Sequence, residues 1–111
     1  MLRSKNIGFT LVFVSLLAFS LQVQCQEPSG HDLMMKSDCM TCHKVDMKLV
    51  GPSFQEIAAK YKGQADVVDK LTEKVIQGGT GNWGQIPMMP HPALAKEEVK
   101  KMVEWILSQA K

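Results

Sequence analysis

A five-residue motif, Cys39–His43, constrains this chain more than any other feature of its sequence. It reads Cys-Met-Thr-Cys-His, with two cysteines three positions apart and a histidine directly after them. One helical turn through such a segment brings two thiols and an imidazole to one face. Two thiols at this spacing can form thioethers with the two vinyl groups on one edge of a haem. The motif therefore predicts covalent haem attachment through Cys39 and Cys42, with the imidazole of His43 as an axial iron ligand.

Zinc sites and redox-active dithiols also use Cys-x-x-Cys pairs, so both remain alternatives. A zinc site needs four ligands, and the remaining candidates, Cys25, His31 and His91, stand at no recognisable ligand spacing. A dithiol site of the thioredoxin type needs a strand before the motif and a parallel sheet around it. The sequence shows no alternating, strand-like run that would supply them. Haem attachment is the favoured interpretation.

Residues 1–26 are predicted to be a secretory signal peptide. A short basic segment precedes a largely apolar run over residues 7–21. This run is shorter than the roughly 20 residues of a membrane-spanning helix, so a cleaved signal is favoured over a retained anchor. Cleavage is predicted after a residue between Ser20 and Gln26, which leaves residues 27–111 as the domain.

Cys25 leaves membrane anchoring through a lipid as an alternative to a soluble domain. A cysteine just after the apolar run can be the lipidated first residue of a bacterial lipoprotein. The residue before such a cysteine is normally small, whereas here it is Gln24. An exported, soluble domain is therefore favoured, with a lipid anchor on Cys25 as the alternative.

The predicted domain is small and close to neutral. Removal of Arg3 and Lys5 from the 13 basic residues leaves 11, against 11 acidic residues that all lie in residues 27–111. This balance gives no bias toward nucleic acid or an anionic membrane. A domain of this length lies near the size at which a covalent staple helps folding, and an attached haem would be one.

Apolar residues recur at helical spacing in four segments besides the motif. They predict helices over residues 29–38, 53–61, 64–77 and 95–110. Met34, Met35 and Met102 lie on these helices and are expected in the core.

Residues 78–94, rich in glycine and proline, are predicted to be a long loop without regular structure. Such a loop in a small domain is usually functional. It carries Trp83, Ile86, Met88 and Met89. These apolar side chains need a surface to pack on, and a haem face would provide it.

The opposite axial position decides the chemistry of such a site. A methionine there raises the reduction potential and favours electron transfer, whereas an open position favours ligand binding or catalysis. Met88 and Met89 lie in a proline-stiffened segment, far enough along the chain from His43 to reach the other haem face. Spacing alone does not choose between these two sulfurs.

Four segments, in this order and spacing, resemble the small bacterial class I cytochromes c: Cys39–His43, Leu49–Pro52, Trp83–Met88 and Trp105–Gln109. The resemblance covers nearly all of the predicted domain. It implies an all-α fold of about four helices around one covalently attached haem c, with the N- and C-terminal helices crossing. It also implies a periplasmic, monohaem electron carrier that is not an enzyme and has no catalytic residues.

The resemblance assigns roles to individual residues. In this family the methionine directly after Ile-Pro is the axial ligand, which corresponds to Met88. Met89 departs from the commoner proline and remains the runner-up. The carbonyl of Pro52 would accept a hydrogen bond from His43 and fix its orientation. Trp83 would lie near a haem propionate, with plain packing as an equal alternative.

The implied partners are redox proteins, an electron donor and a terminal reductase, oxidase or peroxidase, and the chain is expected to be a monomer. Lys36, Lys44 and Lys48 could ring the haem edge and guide acidic partners, although a merely solvated face is the favoured interpretation. The competing function is a haem-based ligand sensor or small haem enzyme with a labile distal methionine.

Overall fold

The computed structural model describes residues 24–111, so residues 1–23 of the predicted signal segment, and most of its cleavage range, lie outside the described residues. The described chain contains five helices and one two-stranded hairpin. In order they are α1 (Gly30–Lys36), α2 (Cys39–Cys42), α3 (Phe54–Tyr61), α4 (Val67–Gln77), β1 (Gly79–Gly81), β2 (Gly84–Met88) and α5 (Lys96–Leu107). None of the helices in this part of the chain is long and apolar enough to cross a membrane.

The first and last helices cross at Gly30. A Cβ added to Gly30 would overlap the carbonyl oxygen of Lys101 and come within 2.9 Å of Cβ of Trp105. Only glycine allows the α1 and α5 backbones to approach this closely. Trp105 lies at this crossing, half-buried, with its ring edge-on to Phe54 at a centroid distance of 5.9 Å.

The core lies where α1, α3 and α5 meet. Its fully buried apolar side chains come from these three helices: Leu33, Met34, Phe54, Ala58, Val99, Met102 and Val103. Helix α3 enters this core through a capping box, in which Ser53 and Glu56 satisfy each other's backbone N–H groups. The cap fixes where α3 begins and therefore where Phe54 enters the core.

Met35 is not a core residue, contrary to the prediction. Its side chain is 58% exposed, whereas Leu33 and Met34 are buried. Consecutive helical residues are about 100° apart around the axis. Leu33 and Met34 occupy the face of α1 that packs on the core, and the next step places Met35 on the solvent side.

Helix α4 begins at Val67 rather than at residue 64 as predicted. Asp66 adopts a left-handed backbone conformation with φ of 57°, which interrupts the helical path just before α4. The most buried side chain of α4 is Thr72, whereas the apolar Val67, Val68, Leu71 and Val75 are half-buried.

The prediction of an irregular loop over residues 78–94 is wrong for residues 79–88. Strands β1 and β2 pair antiparallel, with Gly79 opposite Met88 and Gly81 opposite Gly84. All three glycines have positive φ, a conformation that side-chain-bearing residues rarely adopt. A glycine-rich sequence without alternating hydrophobicity hides this hairpin from pattern analysis, because its pairing depends on backbone freedom rather than on burial.

Candidate functional site

Helix α2 presents the motif. It is a single turn that begins after Asp38, whose carbonyl accepts the N–H of Thr41 at 3.0 Å. It ends at Cys42, and the next residue, His43, has extended backbone and donates its N–H to the carbonyl of Cys39 at 3.0 Å. Both cysteines are half-buried free thiols, and they line one cavity together with His43.

The pKa of the Cys39 thiol is raised, mainly by burial and also by the neighbouring carboxylate of Asp38. A redox-active dithiol or a zinc ligand is usually found where the surroundings stabilise a thiolate and lower this pKa. The surroundings of Cys39 act in the opposite direction. They do not stabilise the thiolate that a dithiol or zinc site would use.

His43 is held in one orientation by the segment that follows it. Its ring Nδ1 lies 2.7 Å from the carbonyl oxygen of Pro52. Because a carbonyl only accepts, Nδ1 carries the proton and donates, and Nε2 is left with a free lone pair. The ring also stacks on Phe54 with a centroid distance of 5.5 Å and an interplanar angle of 21°.

Gly51 makes this orientation possible. A Cβ at this position would lie 2.5 Å from Cε1 of His43 and 2.9 Å from its Nδ1. The Gly51 N–H donates to the carbonyl of Cys42 at 2.8 Å, so the loop backbone lies directly against the imidazole. The family resemblance implied the contact of His43 with Pro52 but not the close approach of Gly51 to the imidazole, which depends on tertiary geometry.

The cavity beside His43 has a volume of about 410 Å³ and is mostly apolar. Residues from every helix and from the hairpin line it, among them Met34, Cys39, Cys42, His43, Phe54, Leu71, Val75, Trp83, Ile86, Met88, Met89, Met102 and Ile106. Its size is within the range of cofactor pockets. Several lining side chains are well exposed in the protein itself, including Val50 at 53% and Ile86 at 66%.

Met88 and Met89 both line this cavity, on the segment that leaves the hairpin. Met88 ends β2, pairs with Gly79 and is half-buried, whereas Met89 is 65% exposed. Gly78 fixes this segment against the end of α4, because a Cβ on Gly78 would lie 2.5 Å from the carbonyl oxygen of Met88.

Lys60 holds the turn of the hairpin. Its ammonium lies 4.3 Å from the centroid of the Trp83 ring and donates to the carbonyl of Asn82 at 2.6 Å. Trp83 is 40% exposed and lines the cavity. Helix α3 therefore positions Trp83 through Lys60, by a cation–π contact and a hydrogen bond to the neighbouring backbone.

Two lysines are among the residues that line the cavity. Lys48 is one of the three lysines named from the sequence, while Lys36 and Lys44 lie outside the lining. Lys74, which sequence analysis did not single out, is the other, and its ammonium lies 3.3 Å from the carbonyl of Thr80 in β1. In the sequence, Lys74 looks like any charged residue on the polar side of a helix, so nothing indicated a role in the site.

These residues fit a haem. An apolar cavity has two thiols and an imidazole with a free Nε2 among its lining residues, and a thioether from a distant part of the chain also lines it. The close contact between Gly51 and the imidazole holds that nitrogen in place. An apolar plate in this cavity would cover side chains such as Ile86 and Val50, which otherwise leave large apolar surfaces in water.

Comparison with known proteins yields consistent matches. The model of the cytochrome c family matches residues 29–110. Over 80 residues the chain is 50% identical to cytochrome c-551 of Azotobacter vinelandii, and the match covers 72% of this chain and 96% of that protein. Over 91 residues it is 42% identical to cytochrome c-552 of Nitrosomonas europaea, covering 82% of this chain and 88% of that one.

The fold also matches a solved structure. The crystal structure of wild-type Nitrosomonas europaea cytochrome c552 aligns with a TM-score of 0.68 and 40% sequence identity. The alignment covers 71% of this chain and 98% of the crystallised one. The region that the family model matches contains the helices and the hairpin that line the cavity.

Proposed function

The chain belongs to the cytochrome c family, and on that premise we propose that it carries single electrons through a haem iron ligated by His43 and Met88. It has the class I cytochrome c fold and one covalently bound haem c, which confirms the predicted fold and cofactor. Like the cytochromes c-551 and c-552 that it resembles, it is a monohaem electron carrier. The bound haem supplies a one-electron iron couple.

The thiols of Cys39 and Cys42 are proposed to form the two thioethers. Both thiols line the cavity from the single turn of α2, directly before His43. Covalent attachment at this point would tie the cofactor to the chain beside His43, whose imidazole would ligate the iron. It also adds a large apolar plate to a small core.

His43 gives this proposal its main support. The 2.7 Å hydrogen bond from Nδ1 to the carbonyl of Pro52 fixes the tautomer that leaves Nε2 free to ligate iron. A hydrogen bond of this kind also raises the basicity of the ligating nitrogen. Stacking on Phe54 holds the ring in place, so both oxidation states would meet the same ligand at the same position.

Met88 is proposed as the second ligand, with Met89 as the alternative. Met88 is half-buried and anchored by its pairing with Gly79 at the end of β2. Met89, at 65% exposed, lies one residue beyond that pairing and is less constrained. A ligand set that does not change with oxidation state keeps reorganisation small, as electron transfer requires.

Trp83 and Lys74 are proposed to serve the haem propionates. Both line the cavity and both contact the hairpin, Lys74 through the carbonyl of Thr80 and Trp83 by its position in the turn. An indole N–H and an ammonium are suitable donors to carboxylates. The equal alternative for Trp83 is plain packing, and its contact with Lys60 is compatible with that role.

Redox partners are proposed to dock on the exposed surface of residues 47–50, where Lys48 and Val50 also line the cavity. Met47, Leu49 and Val50 are exposed apolar side chains there, at 57%, 42% and 53%. Lys48 lies among them and lines the cavity. A nearly neutral domain gives little long-range steering, so docking would rest on this apolar surface. The proposed partners are an electron donor and a terminal reductase, oxidase or peroxidase. The carrier is proposed to act as a monomer.

Export to the periplasm is proposed from the signal-like order of residues 1–26. Cys25 is exposed, which is compatible with either a soluble mature domain or a lipid anchor. The mass of the purified mature protein distinguishes the two, because a diacylated Cys25 adds the mass of its lipid.

The ligand assignment is tested by three alanine variants of the matured, oxidised protein. Iron–thioether ligation gives a weak absorption band near the red end of the visible spectrum. Met88→Ala is expected to abolish this band. Met89→Ala is expected to keep it, as is Met35→Ala, a matched control on the exposed face of α1.

A band that survives in Met88→Ala and disappears in Met89→Ala would transfer the ligand role to Met89. Rapid binding of carbon monoxide to the reduced wild-type protein at neutral pH would instead favour the competing function, a ligand sensor or haem enzyme with a labile distal methionine.

A further inference from the structure

His91 contacts two separate parts of the site from the segment that follows Met88. Its backbone N–H donates to the carbonyls of Val75 and Ile76, at 3.2 and 3.1 Å, in the last turn of α4. Its ring Nδ1 lies 3.2 Å from the same Val75 carbonyl. Its ring Nε2 lies 3.0 Å from Oδ1 of Asp38, the residue directly before Cys39.

We propose that His91 is a positioning residue that fastens the Met88 segment to the haem-attachment helix and thereby limits dissociation of the distal sulfur from the iron. This inference rests on the proposed function, in which Met88 is the distal ligand. It adds a residue that touches neither the iron nor a thioether cysteine.

The chemistry of the contact supports a firm link. An ionised carboxylate only accepts, so Nε2 donates to Asp38, while the backbone N–H of His91 donates to the Val75 and Ile76 carbonyls. The side chain of His91 is only 16% exposed, which limits competition from water, while Asp38 stays 71% exposed. A hydrogen bond to a charged group is among the stronger ones available to a side chain.

The position of the link in the chain explains why it would matter. Met88 is the last residue of β2, and its pairing with Gly79 anchors it on one side only. Residues 89–95 belong to no helix or strand before α5 begins at Lys96. His91 provides the anchor on the other side, three residues after the sulfur. A thioether is a weak ligand that depends on such support.

The other end of the link adjoins the proposed attachment point of the haem. Asp38 is the residue before Cys39, which the proposed function makes a covalent haem attachment point. The path from haem through Cys39 and Asp38 to His91 and Met88 is therefore short, although Asp38 and His91 are 53 positions apart in sequence. The contact positions the distal sulfur relative to the haem itself rather than to the outer surface.

The test measures how fast the distal sulfur dissociates. Imidazole is mixed in excess with the matured, oxidised protein, and the limiting rate of its binding reports opening of the iron–sulfur bond. The variants are His91→Ala, Asp38→Ala and the double variant. The Asp38 side chain makes no capping hydrogen bond to α2, so its removal leaves that turn intact. His31→Ala and Asp69→Ala are matched controls on α1 and α4, where both side chains lie in other ion pairs.

Each single variant is expected to raise the limiting rate about threefold to tenfold, because solvent around Asp38 screens part of a charge-assisted hydrogen bond. The double variant is expected to match the faster single variant, because both changes remove the same contact. The red-end band should weaken in step. Amide exchange at residue 91 in Asp38→Ala should also speed up, a readout of the segment that does not depend on imidazole.

Rates within twofold of the wild type in both single variants would overturn the proposal. So would an equal increase in the two controls, which would reveal general destabilisation. Failure of the proposed function has a different signature, namely a red-end band that survives Met88→Ala. If that band is lost in Met88→Ala while His91→Ala and Asp38→Ala bind imidazole at the wild-type rate, only the role of His91 is refuted.

Discussion

The two sides of the haem site are built in opposite ways. The proximal side, from Cys39 to Phe54, is local, and its main side-chain contact joins His43 to a carbonyl nine positions away. The distal side, from Gly78 to His91, is held by contacts that span 22 positions from Lys60 and 53 from Asp38. Under the proposed ligation, the imidazole is held by local backbone geometry and the more weakly binding sulfur by long-range side-chain contacts.

This difference implies that the two sides fail differently. A proximal defect disturbs the residue beside the covalent attachment and should prevent assembly of the site. A distal defect should leave the haem attached and free only the sulfur. Proximal substitutions should therefore lower haem loading, and distal substitutions should weaken only the iron–sulfur bond. The largest effect is expected at Gly51 and the smallest at Glu56.

Gly51→Ala is expected to have the largest effect, on the proximal side. The added Cβ would lie 2.5 Å from Cε1 of His43, and the loop cannot retreat without breaking the bond from Gly51 to the Cys42 carbonyl. We expect a loss of about 2–3 kcal/mol in unfolding free energy and a lower yield of haem-loaded protein. Denaturant unfolding and haem content per chain measure these effects.

Gly63→Ala is the control for this substitution. A Cβ on Gly63 would have no neighbour within 4 Å, but its φ is +74°, so alanine there costs only backbone strain. We expect a loss of about 1 kcal/mol and full haem content. Equal haem yields from the Gly51 and Gly63 variants would contradict the proximal account.

Gly78→Ala is the distal counterpart. Its Cβ would lie 2.5 Å from the Met88 carbonyl oxygen, at a residue with φ of +67°. We expect the haem to stay covalently attached while the red-end band weakens, because the segment that carries Met88 is pushed off the end of α4. The visible spectrum of the oxidised variant tests this, and an intact band with lost haem would reverse the assignment of the two sides.

Lys60→Ala is expected to have a moderate effect, confined to the hairpin. It removes the cation over the Trp83 ring and the hydrogen bond to the Asn82 carbonyl. An exposed cation–π contact contributes about 0.5–1 kcal/mol, so unfolding free energy should fall by roughly that amount. Lys62→Ala, on an exposed neighbour, is the control, and an equal loss there would show that general helix effects account for the change.

Glu56→Gln is expected to have the smallest effect, visible in its pH dependence. The N–H of Ser53 and then its hydroxyl lower the pKa of the Glu56 carboxyl below its ordinary value of 4.5. A lowered folded-state pKa gives stability that is present above about pH 4.5 and is lost as pH falls through the folded value. Wild type should be the more stable protein at neutral pH, and the two should converge in acid. A pH-independent difference in urea midpoints would contradict this cause.

The same contrast shows how much the sequence could predict. Cys39, Cys42 and His43 adjoin one another, so their relation follows from spacing, whereas the hydrogen bond from His43 to Pro52 was implied by the family resemblance. The capping box at Ser53 and Glu56 was likewise readable, because both partners belong to one helical turn.

The distal side was less predictable. The hairpin in residues 79–88 depends on glycines with positive φ, and glycine alone does not specify a strand. The contact between His91 and Asp38 could not be predicted from the sequence, because the two residues are 53 positions apart and only the fold brings them together. Met35 and Met34 are adjacent and chemically alike, and only the packing of α1 on α5 separates the buried one from the exposed one.

A redox titration of the matured protein followed by visible spectra tests the central claim most directly. We predict a single one-electron transition, with a red-end band that disappears on reduction and returns fully on reoxidation, since His43 and Met88 remain bound throughout. A colourless protein, or a band that fails to return because the distal sulfur has been replaced, would contradict this claim.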